Sequence, residues 1–387
     1  MGRALLATVA TLACLSATAS MTTLAIAAPA KASSPAPGSS KAWKAPRLSI
    51  GQPDLGDTWT NVSLTPETRP SGLGNKAVYA PEEVAARERA EQVAADNANK
   101  ATDPNAPPPS VGGDKPAPGT RPEFIAAGGN VGGYNNFWLD PGSAIMRVHG
   151  EARTSILTTP DGRVPAPLPG AKLPPEYRGG LGSFDHPEYR SLGERCILGF
   201  GRNAGPPMLA NGFYNNDYQI IQTPDAVAIV IEMVHDVRTI RLNAAHRTDG
   251  FRPWMGDSIG HWEGDTLVVE TTNIPRAQAY HGSWKELKVT ERFTRTDPNR
   301  LLYQFTIEDP TLWAKPWGGE YEFSPLKGQI FEYACHEGNY ALRNMLASAR
   351  AEDAAALAAK AAKEAAEARA AADQAVKDAA AKLPKKK

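Results

Sequence analysis

One hairpin constrains the fold of this chain more than any other stretch of the sequence. Residues 266–272 alternate as a half-buried β-strand does, with Leu267 and Val269 on one face. Residues 263–265, Glu-Gly-Asp, suit a tight turn because glycine allows positive φ and aspartate bonds its own backbone. Residues 258–262 then form the first strand of the hairpin. We therefore expect a β-rich body around this stretch.

The same hairpin carries a concentration of titratable side chains. Asp257, His261, Glu263 and Asp265 are expected near its two ends. They could form an acid–base or metal-binding cluster. The alternative is that the acids are turn residues and the histidine is half exposed, since Asp and Glu beside Gly are common turn chemistry. Both interpretations stay open at the level of sequence.

Further predicted strands flank the hairpin on both sides. Residues 226–231 are almost wholly apolar, so both faces of a strand there should be covered. Residues 301–308 alternate cleanly, and residues 297–299 join them to residues 287–296. A glycine closely followed by Trp59 is a weak lipocalin-like feature at the start of the body. The predicted strands are residues 54–65, 153–159, 218–223, 226–234, 258–262, 266–272, 287–296, 301–308 and 329–335.

The predicted fold class is therefore mainly β: an antiparallel β-barrel or barrel-like sandwich, with a lipocalin-like barrel as one form. A peripheral helix is predicted over residues 81–97, because Pro81 and two glutamates suit its first turn. An Ala-rich C-terminal helix is predicted from its propensity and its acid–base pairs at helical spacing. That helix lacks an apolar stripe, so it should not dock firmly.

Composition divides the chain into four predicted parts. Many prolines precede position 175, and those of residues 101–122 predict a flexible loop inside the body. The parts are a signal peptide at residues 1–28, a disordered linker at 29–47, a single β-rich domain at 48–349 and an Ala/Lys-rich helical tail at 350–387.

The N-terminus is typical of an export signal. Arg3 is followed by an Ala/Leu-rich run with small-residue cleavage sites, which predicts a periplasmic or secreted protein. Serines and threonines interrupt the run, so it is a poor membrane span. Residues 12–14 resemble a lipoprotein box that ends at Cys14. Thr11 stands where that box needs an aliphatic residue, so lipid anchoring at Cys14 is not expected.

Removal of the signal leaves Cys196 and Cys335, which in an exported chain most simply form one disulfide. The alternative is a catalytic thiol, since His336 follows Cys335 directly. Neighbouring residues of one strand point to opposite faces, so this pair cannot act as a nucleophile and its base within a strand.

Charge and motifs exclude several functional classes. The formal net charge is zero, so no nucleic-acid partner is expected. The sequence holds no H-E-x-x-H, G-x-S-x-G, Walker or dinucleotide-binding motif. No cofactor is predicted, although histidines and carboxylates that meet in space could bind a transition metal such as zinc. The terminal lysines could make weak contact with anionic polymers of the cell envelope.

Glu232 is the outlier of the sequence, because it follows the apolar strand over residues 226–231. A carboxylate in that place needs a partner or a raised pKa. Its partner could be Arg238 or Arg195 in a buried salt bridge. Alternatively, Glu232 is a functional carboxylate.

Two functions follow from these residues. An antiparallel barrel gathers strand ends at one mouth, which suits a small ligand. The first function is a cofactor-free lyase, isomerase or hydrolase acting by acid–base chemistry on a small, partly aromatic substrate. The second is a periplasmic ligand-binding or envelope-interaction protein without catalysis, which is favoured if the histidines are scattered over the surface. The predicted catalytic residues are Glu232, His235, Asp257, His261 and His336, and the predicted ligand-binding residues are Arg195, Tyr214, Tyr218, Trp254 and Trp262.

The body also resembles a large family of exported bacterial proteins. The shared phrases include ERC, EMVHD, WMGDSIGHWEGDTLVVETTNI and EYACHEGNY, and they fall within residues 54–348. The resemblance implies that this stretch is one unit, with residues 80–122 as an embellished connector and the tail after residue 350 as an addition. It implies no particular reaction.

Overall fold

The computed structural model describes residues 43–98, 140–171, 184–199, 205–210 and 214–381, and the structural statements below concern these residues. The predicted signal peptide, most of the predicted linker, the proline-rich loop and the terminal lysines lie outside them.

The fold is built from eleven strands and two helices in the described part of the chain. The strands are β1 Asp57–Thr60, β2 Arg147–Val148, β3 Glu151–Ala152, β4 Asp217–Gln222, β5 Ala226–Ile231, β6 Val237–Leu242, β7 Asp257–Glu263, β8 Thr266–Thr272, β9 Lys288–Asp297, β10 Arg300–Glu308 and β11 Trp317–Pro325. The helices are α1 Pro81–Ala98 and α2 Ala341–Ala381.

Nine of these strands close into a barrel. Their order is β1-β11-β10-β9-β8-β7-β6-β5-β4, and β4 returns to pair with β1. The mainly β class, the barrel and both helices are thus confirmed. The prediction of a purely antiparallel sheet was wrong at one place, because β6 and β7 pair in parallel. Residues 243–256 carry the chain back along the barrel between them, which permits this pairing.

The central hairpin is confirmed: β7 and β8 pair antiparallel around the turn at Gly264. Two strands of the barrel were missed, as were the short strands β2 and β3 outside it. β6 was not predicted, and β11 was hidden by Gly318 and Gly319, since glycine is depleted in strands. The prediction of a strand over residues 329–335 was wrong, because these residues run as an irregular segment. Residues 153–159 make only isolated bridges.

Alternation places one face of each strand inside the barrel. The interior is rich in large aromatic side chains, including Trp59, Phe293, Tyr303 and Tyr321, all fully buried. It also holds a buried ion pair between Arg238 of β6 and Glu291 of β9. Helix α1 packs outside the barrel through a small separate cluster that includes Val84.

The two ends of the barrel differ. We call the end that contains Thr60, Asp217, Ile231 and Val237 the loop rim, because longer connections leave or reach it. The opposite end, the turn rim, is closed by tight turns such as the one at Gly264. Residues 326–340 run from the turn rim, where the Leu326 amide donates to the Thr58 carbonyl, to the loop rim.

One disulfide joins Cys196 to Cys335, as predicted, with 5.7 Å between the Cα atoms. It fixes residues 326–340 to residues 184–199. Helix α2 begins beyond this segment, and Leu346 is its one buried residue, which fits the absence of an apolar stripe. Among the described helices, none combines the length and apolar character needed to cross a membrane.

Candidate functional site at the loop rim

Glu232 is held at the loop rim by two irregular segments. It is 4% exposed and follows β5 directly, where the chain turns sharply through Val234 and His235, both at positive φ. The Phe331 amide donates to Glu232 Oε1 at 2.8 Å, and the Asn215 side chain hydrogen-bonds the same carboxyl group. Burial raises the pKa of Glu232, and repulsion from Asp140 adds to the rise.

Asp217 is the neighbour that the sequence did not single out. It begins β4 opposite Thr60, and its carbonyl accepts the Glu232 amide at 2.9 Å. Burial raises the pKa of Asp217 to about 6. The Thr60 hydroxyl partly offsets this rise, while repulsion from Glu232 and Asp140 increases it. Two partly desolvated carboxyl groups therefore face the same part of the rim.

Asp236 is a third carboxyl group of the loop rim with a raised pKa. Burial raises its pKa to about 6, against a hydrogen bond with Trp254 and the charge of His235. This contact places the predicted ligand-binding residue Trp254, which is 36% exposed, beside the turn that follows Glu232.

Aromatic side chains border the two central carboxylates. Tyr214 precedes Asn215 and stacks on Tyr333, with ring centroids 6.4 Å apart. Tyr218 follows Asp217 and points into the barrel, where it is 2% exposed. Burial raises the pKa of Tyr218, and the nearby Asp217 and Glu232 raise it further. The structure thus places Glu232, Tyr214 and Tyr218 near one another, and their catalytic and ligand-binding roles stay predictions.

A buried polar chain begins at Tyr218. Asn61 Nδ2 donates to the hydroxyl groups of Tyr218 at 3.2 Å and Tyr321 at 3.3 Å. The Tyr321 hydroxyl donates to the Met208 carbonyl at 2.5 Å, and the Met208 amide donates to the Tyr303 hydroxyl at 2.8 Å. Residues 205–210 are therefore held at the barrel by both backbone polar groups of Met208.

The chain continues into the Arg238–Glu291 pair. The Tyr303 hydroxyl donates to Glu291 Oε1 at 2.8 Å, and Arg238 Nη1 donates to the same oxygen at 2.9 Å. Arg238 also donates to Ser258 Oγ at 3.0 Å and Thr271 Oγ1 at 2.7 Å. Arg238, one of the two partners considered for Glu232, therefore forms its salt bridge with Glu291 instead. No motif in the sequence signals this network, because its members come from separate strands.

The other predicted catalytic residues have exposed side chains or lie on the outer face of the barrel. His235 is exposed at the turn after Glu232, and His336 is exposed in the segment beyond Cys335. His261 is exposed on the outer face of β7, 3.2 Å from Glu263. Asp257 also lies on the outer face. Asp257 and His261 therefore do not face the barrel interior, whereas His235 stays close to Glu232, whose carbonyl accepts the His235 amide at 3.1 Å.

Asp257 has a different environment from the loop-rim carboxylates. Arg241 donates to its Oδ1 at 2.7 Å, and the Arg247 amide donates to its Oδ2 at 2.7 Å. His246 Nδ1 lies 3.1 Å from Oδ2. Burial acts to raise the pKa of Asp257, but these contacts outweigh it and leave the pKa lowered. Asp257 is thus a stabilised anion, which suits a structural role.

The remaining predicted ligand-binding residues are spread over the fold. Trp262 lies on the inner face of β7 and packs against the core toward the turn rim. Arg195 is half buried beside Cys196. Across the residues described by the structure, no group of three or more His, Cys, Asp or Glu side chains is arranged to hold a metal ion.

Comparisons of the chain with protein-family models, with curated proteins and with solved structures gave no match. Function is therefore inferred from the loop rim itself.

Proposed function

We propose that this protein binds a small, partly aromatic molecule at the loop rim and moves a proton on it with Glu232 and Asp217. The reaction is a cofactor-free elimination, isomerisation or hydrolysis. The observation that carries the proposal is the pair of neighbouring carboxyl groups, both partly desolvated and both with a raised pKa.

This pair suits general acid–base catalysis at near-neutral pH. An ionised carboxylate disfavours ionisation of its neighbour, so one group is held as an acid while the other serves as a base. The pKa of Asp217, about 6, is close to the pH at which such transfer is efficient. Tyr214, Tyr333 and Trp254 supply aromatic surface around the carboxylates.

The positions of the histidines support a proposal in which carboxylates carry the chemistry. His149, His186, His235, His261 and His336 are exposed and lie on separate elements. An imidazole-based mechanism with His261 or His336 beside Glu232 is therefore not part of the proposal.

The same dispersion of histidines favours a second function, ligand binding without turnover. In that case Glu232 acts as a structural acceptor for the Phe331 amide, and the aromatic residues capture the ligand. The two functions share the binding site and differ only in whether the carboxylates transfer a proton.

We also propose that the mature protein is exported to the periplasm or the surroundings of the cell. The N-terminal sequence pattern supports export, and the Cys196–Cys335 disulfide is consistent with an oxidising compartment. A small molecule is the proposed partner.

The test separates binding from turnover. Small phenols, aryl ethers and aromatic esters would be screened for an increase in melting temperature, and those that bind would be followed by NMR for product formation. Glu232→Gln keeps an oxygen that can accept the Phe331 amide, and Asp217→Asn keeps the shape of the side chain. Both variants should retain binding and lose most turnover, and the wild-type rate should depend on pH between about 5 and 7.

Glu332→Gln is the matched control, because Glu332 is an exposed carboxylate of the same segment as Phe331. It should leave binding and rate unchanged. Turnover that survives in both loop-rim variants would overturn the catalytic proposal. Binding of aromatic ligands with no turnover in the wild type would establish the binding function instead.

A further inference from the structure

The end of β1 carries a buried amide that is only partly satisfied. Asn61 is 2% exposed, and its Nδ2 donates hydrogen bonds to the Tyr218 and the Tyr321 hydroxyl groups. Its Oδ1 is buried and has no hydrogen-bond partner among the described residues. Buried polar atoms are nearly always paired in folded proteins, so this oxygen marks a place where a further group belongs.

Turning the amide over does not remove the unpaired end. The carbonyl would then face the two tyrosine hydroxyls, and the –NH₂ group would take the unpaired place. The Tyr321 hydroxyl already donates to the Met208 carbonyl, so it cannot also donate to Asn61. In one orientation the Asn61 oxygen can accept a further hydrogen bond, and in the other its –NH₂ group can donate one. A hydroxyl group fits both cases, because it donates and accepts.

The surroundings restrict the charge of the group that binds. Thr60, directly before Asn61, lies opposite Asp217, and Tyr218 directly follows Asp217. Asp217 and Glu232 both disfavour a negative charge on the Tyr218 hydroxyl, so they act on the same small region. An anionic group there would meet the same repulsion. A neutral hydroxyl would not.

We propose that Asn61 and Tyr218 bind the neutral hydroxyl group of the substrate, which makes the substrate a phenol or a similar aromatic alcohol. This inference rests on the proposed function and names its substrate class. The hydroxyl hydrogen-bonds the unpaired end of Asn61 and lies beside the Tyr218 hydroxyl, and the aromatic ring extends toward the carboxylates.

The test compares phenol with anisole, which has the same ring but no hydroxyl proton. Binding of each to the full-length protein would be measured by isothermal titration calorimetry. Phenol should bind about tenfold more tightly than anisole, the effect of one hydrogen bond to a buried group. Asn61→Leu should reduce phenol binding to the level of anisole and leave anisole binding unchanged.

The matched control is Asn344→Leu, an exposed asparagine of α2 that should leave both affinities unchanged. Tyr218→Phe removes a single oxygen and keeps the ring, so it provides a second variant if Asn61→Leu does not fold. It should also reduce the preference for phenol. The wild-type comparison of the two ligands needs no variant at all.

The outcomes separate this inference from the proposed function. Equal affinity for phenol and anisole would overturn hydroxyl recognition and leave the proposed function standing. Hydroxyl recognition would also be overturned if Asn61→Leu still bound phenol more tightly than anisole. A crystal structure in which a water stays on Asn61 while phenol is bound would overturn it as well. If the preference is found but Glu232→Gln keeps full turnover, the catalytic proposal fails and hydroxyl recognition stands.

Discussion

Arg238 and Glu291 form a buried ion pair inside the barrel. Both side chains are at most 1% exposed, and Ser258, Thr271 and Tyr303 complete their hydrogen bonds. Burying two charges costs desolvation free energy. The pair therefore stabilises the fold only if all of its hydrogen-bond partners are present. Breaking one side leaves a buried charge without compensation.

Glu291→Gln should therefore lower the free energy of unfolding by about 3–5 kcal/mol, because Arg238 remains charged and buried. Urea denaturation monitored by tryptophan fluorescence would measure the loss. The control is Glu263→Gln, which breaks the exposed pair with Arg292 (2.8 Å) and should change stability little. Similar stabilities for the two variants would contradict this account.

The raised pKa of Asp217 predicts a stability that falls as pH rises. The folded state holds this proton up to about pH 6, whereas the group ionises near 3.8 without the fold. The folded state therefore binds more protons between these values, and stability decreases across that window. Asp217→Asn removes this penalty, so the variant should be more stable than the wild type at pH 8, by roughly 1 kcal/mol after allowance for solvent screening.

Urea midpoints at pH 4, 6 and 8 would check this prediction. The gap between Asp217→Asn and the wild type should shrink as pH falls toward 4. A constant gap at all three values would show that the carboxyl group does not titrate as described.

Some residues of the candidate site could be predicted from the sequence and others could not. Glu232 could be predicted because an acid after six apolar residues is conspicuous. Asp217 could not, since an acid at the start of a strand is ordinary and its environment comes from residues distant in sequence. The partner of Arg238 was equally hidden, because it depends on which side chains meet inside a closed barrel.

Among the elements, β11 shows how close packing can conceal a strand from sequence analysis. Gly319 has the Ile156 carbonyl oxygen 2.7 Å and the Phe305 ring 2.8 Å from where a Cβ would lie. Glycine is needed there for close approach, although it weakens the strand pattern. The clearly alternating strands, such as β8 and β10, were predictable because one face of each is set by the core.

Gly319→Ala should therefore destabilise the fold by roughly 1–3 kcal/mol, because the added methyl group meets backbone and a buried ring. Differential scanning calorimetry would measure the shift. Gly328→Ala is the matched control: no atom lies within 4 Å of its Cβ position, and Gly328 is not at positive φ. If both variants melt at the same temperature as the wild type, the packing at Gly319 is looser than described.

For the whole molecule, the disulfide is a covalent constraint between distant parts of the chain. It closes a loop of 139 residues, and chain-entropy arguments assign about 4–5 kcal/mol to a loop of this size. The segment that contains Cys335 also carries Phe331 and Tyr333, which contact Glu232 and Tyr214. Global stability and the geometry of the loop rim therefore depend on the same bond.

The double variant Cys196→Ser/Cys335→Ser should lose up to about 4–5 kcal/mol of unfolding free energy, and the wild type should lose a similar amount under a reductant. Urea midpoints with and without dithiothreitol would test this. A reductant that shifts the double variant as much as the wild type would mean that the effect does not come from the disulfide.

The position of β1 has a consequence for the order in which the chain can assemble. β1 is the first strand of the barrel to be synthesised, and it pairs with both β4 and β11, the last. β7 to β10 each pair with the next strand along the chain, so strands β7 to β11 can assemble as they emerge. β1 can pair with β4 earlier, but its pairing with β11, which closes the barrel, must wait until residues 317–325 have been made. A chain that crosses a membrane from its N-terminus would therefore leave one edge of this strand unpaired until nearly all of the barrel had crossed.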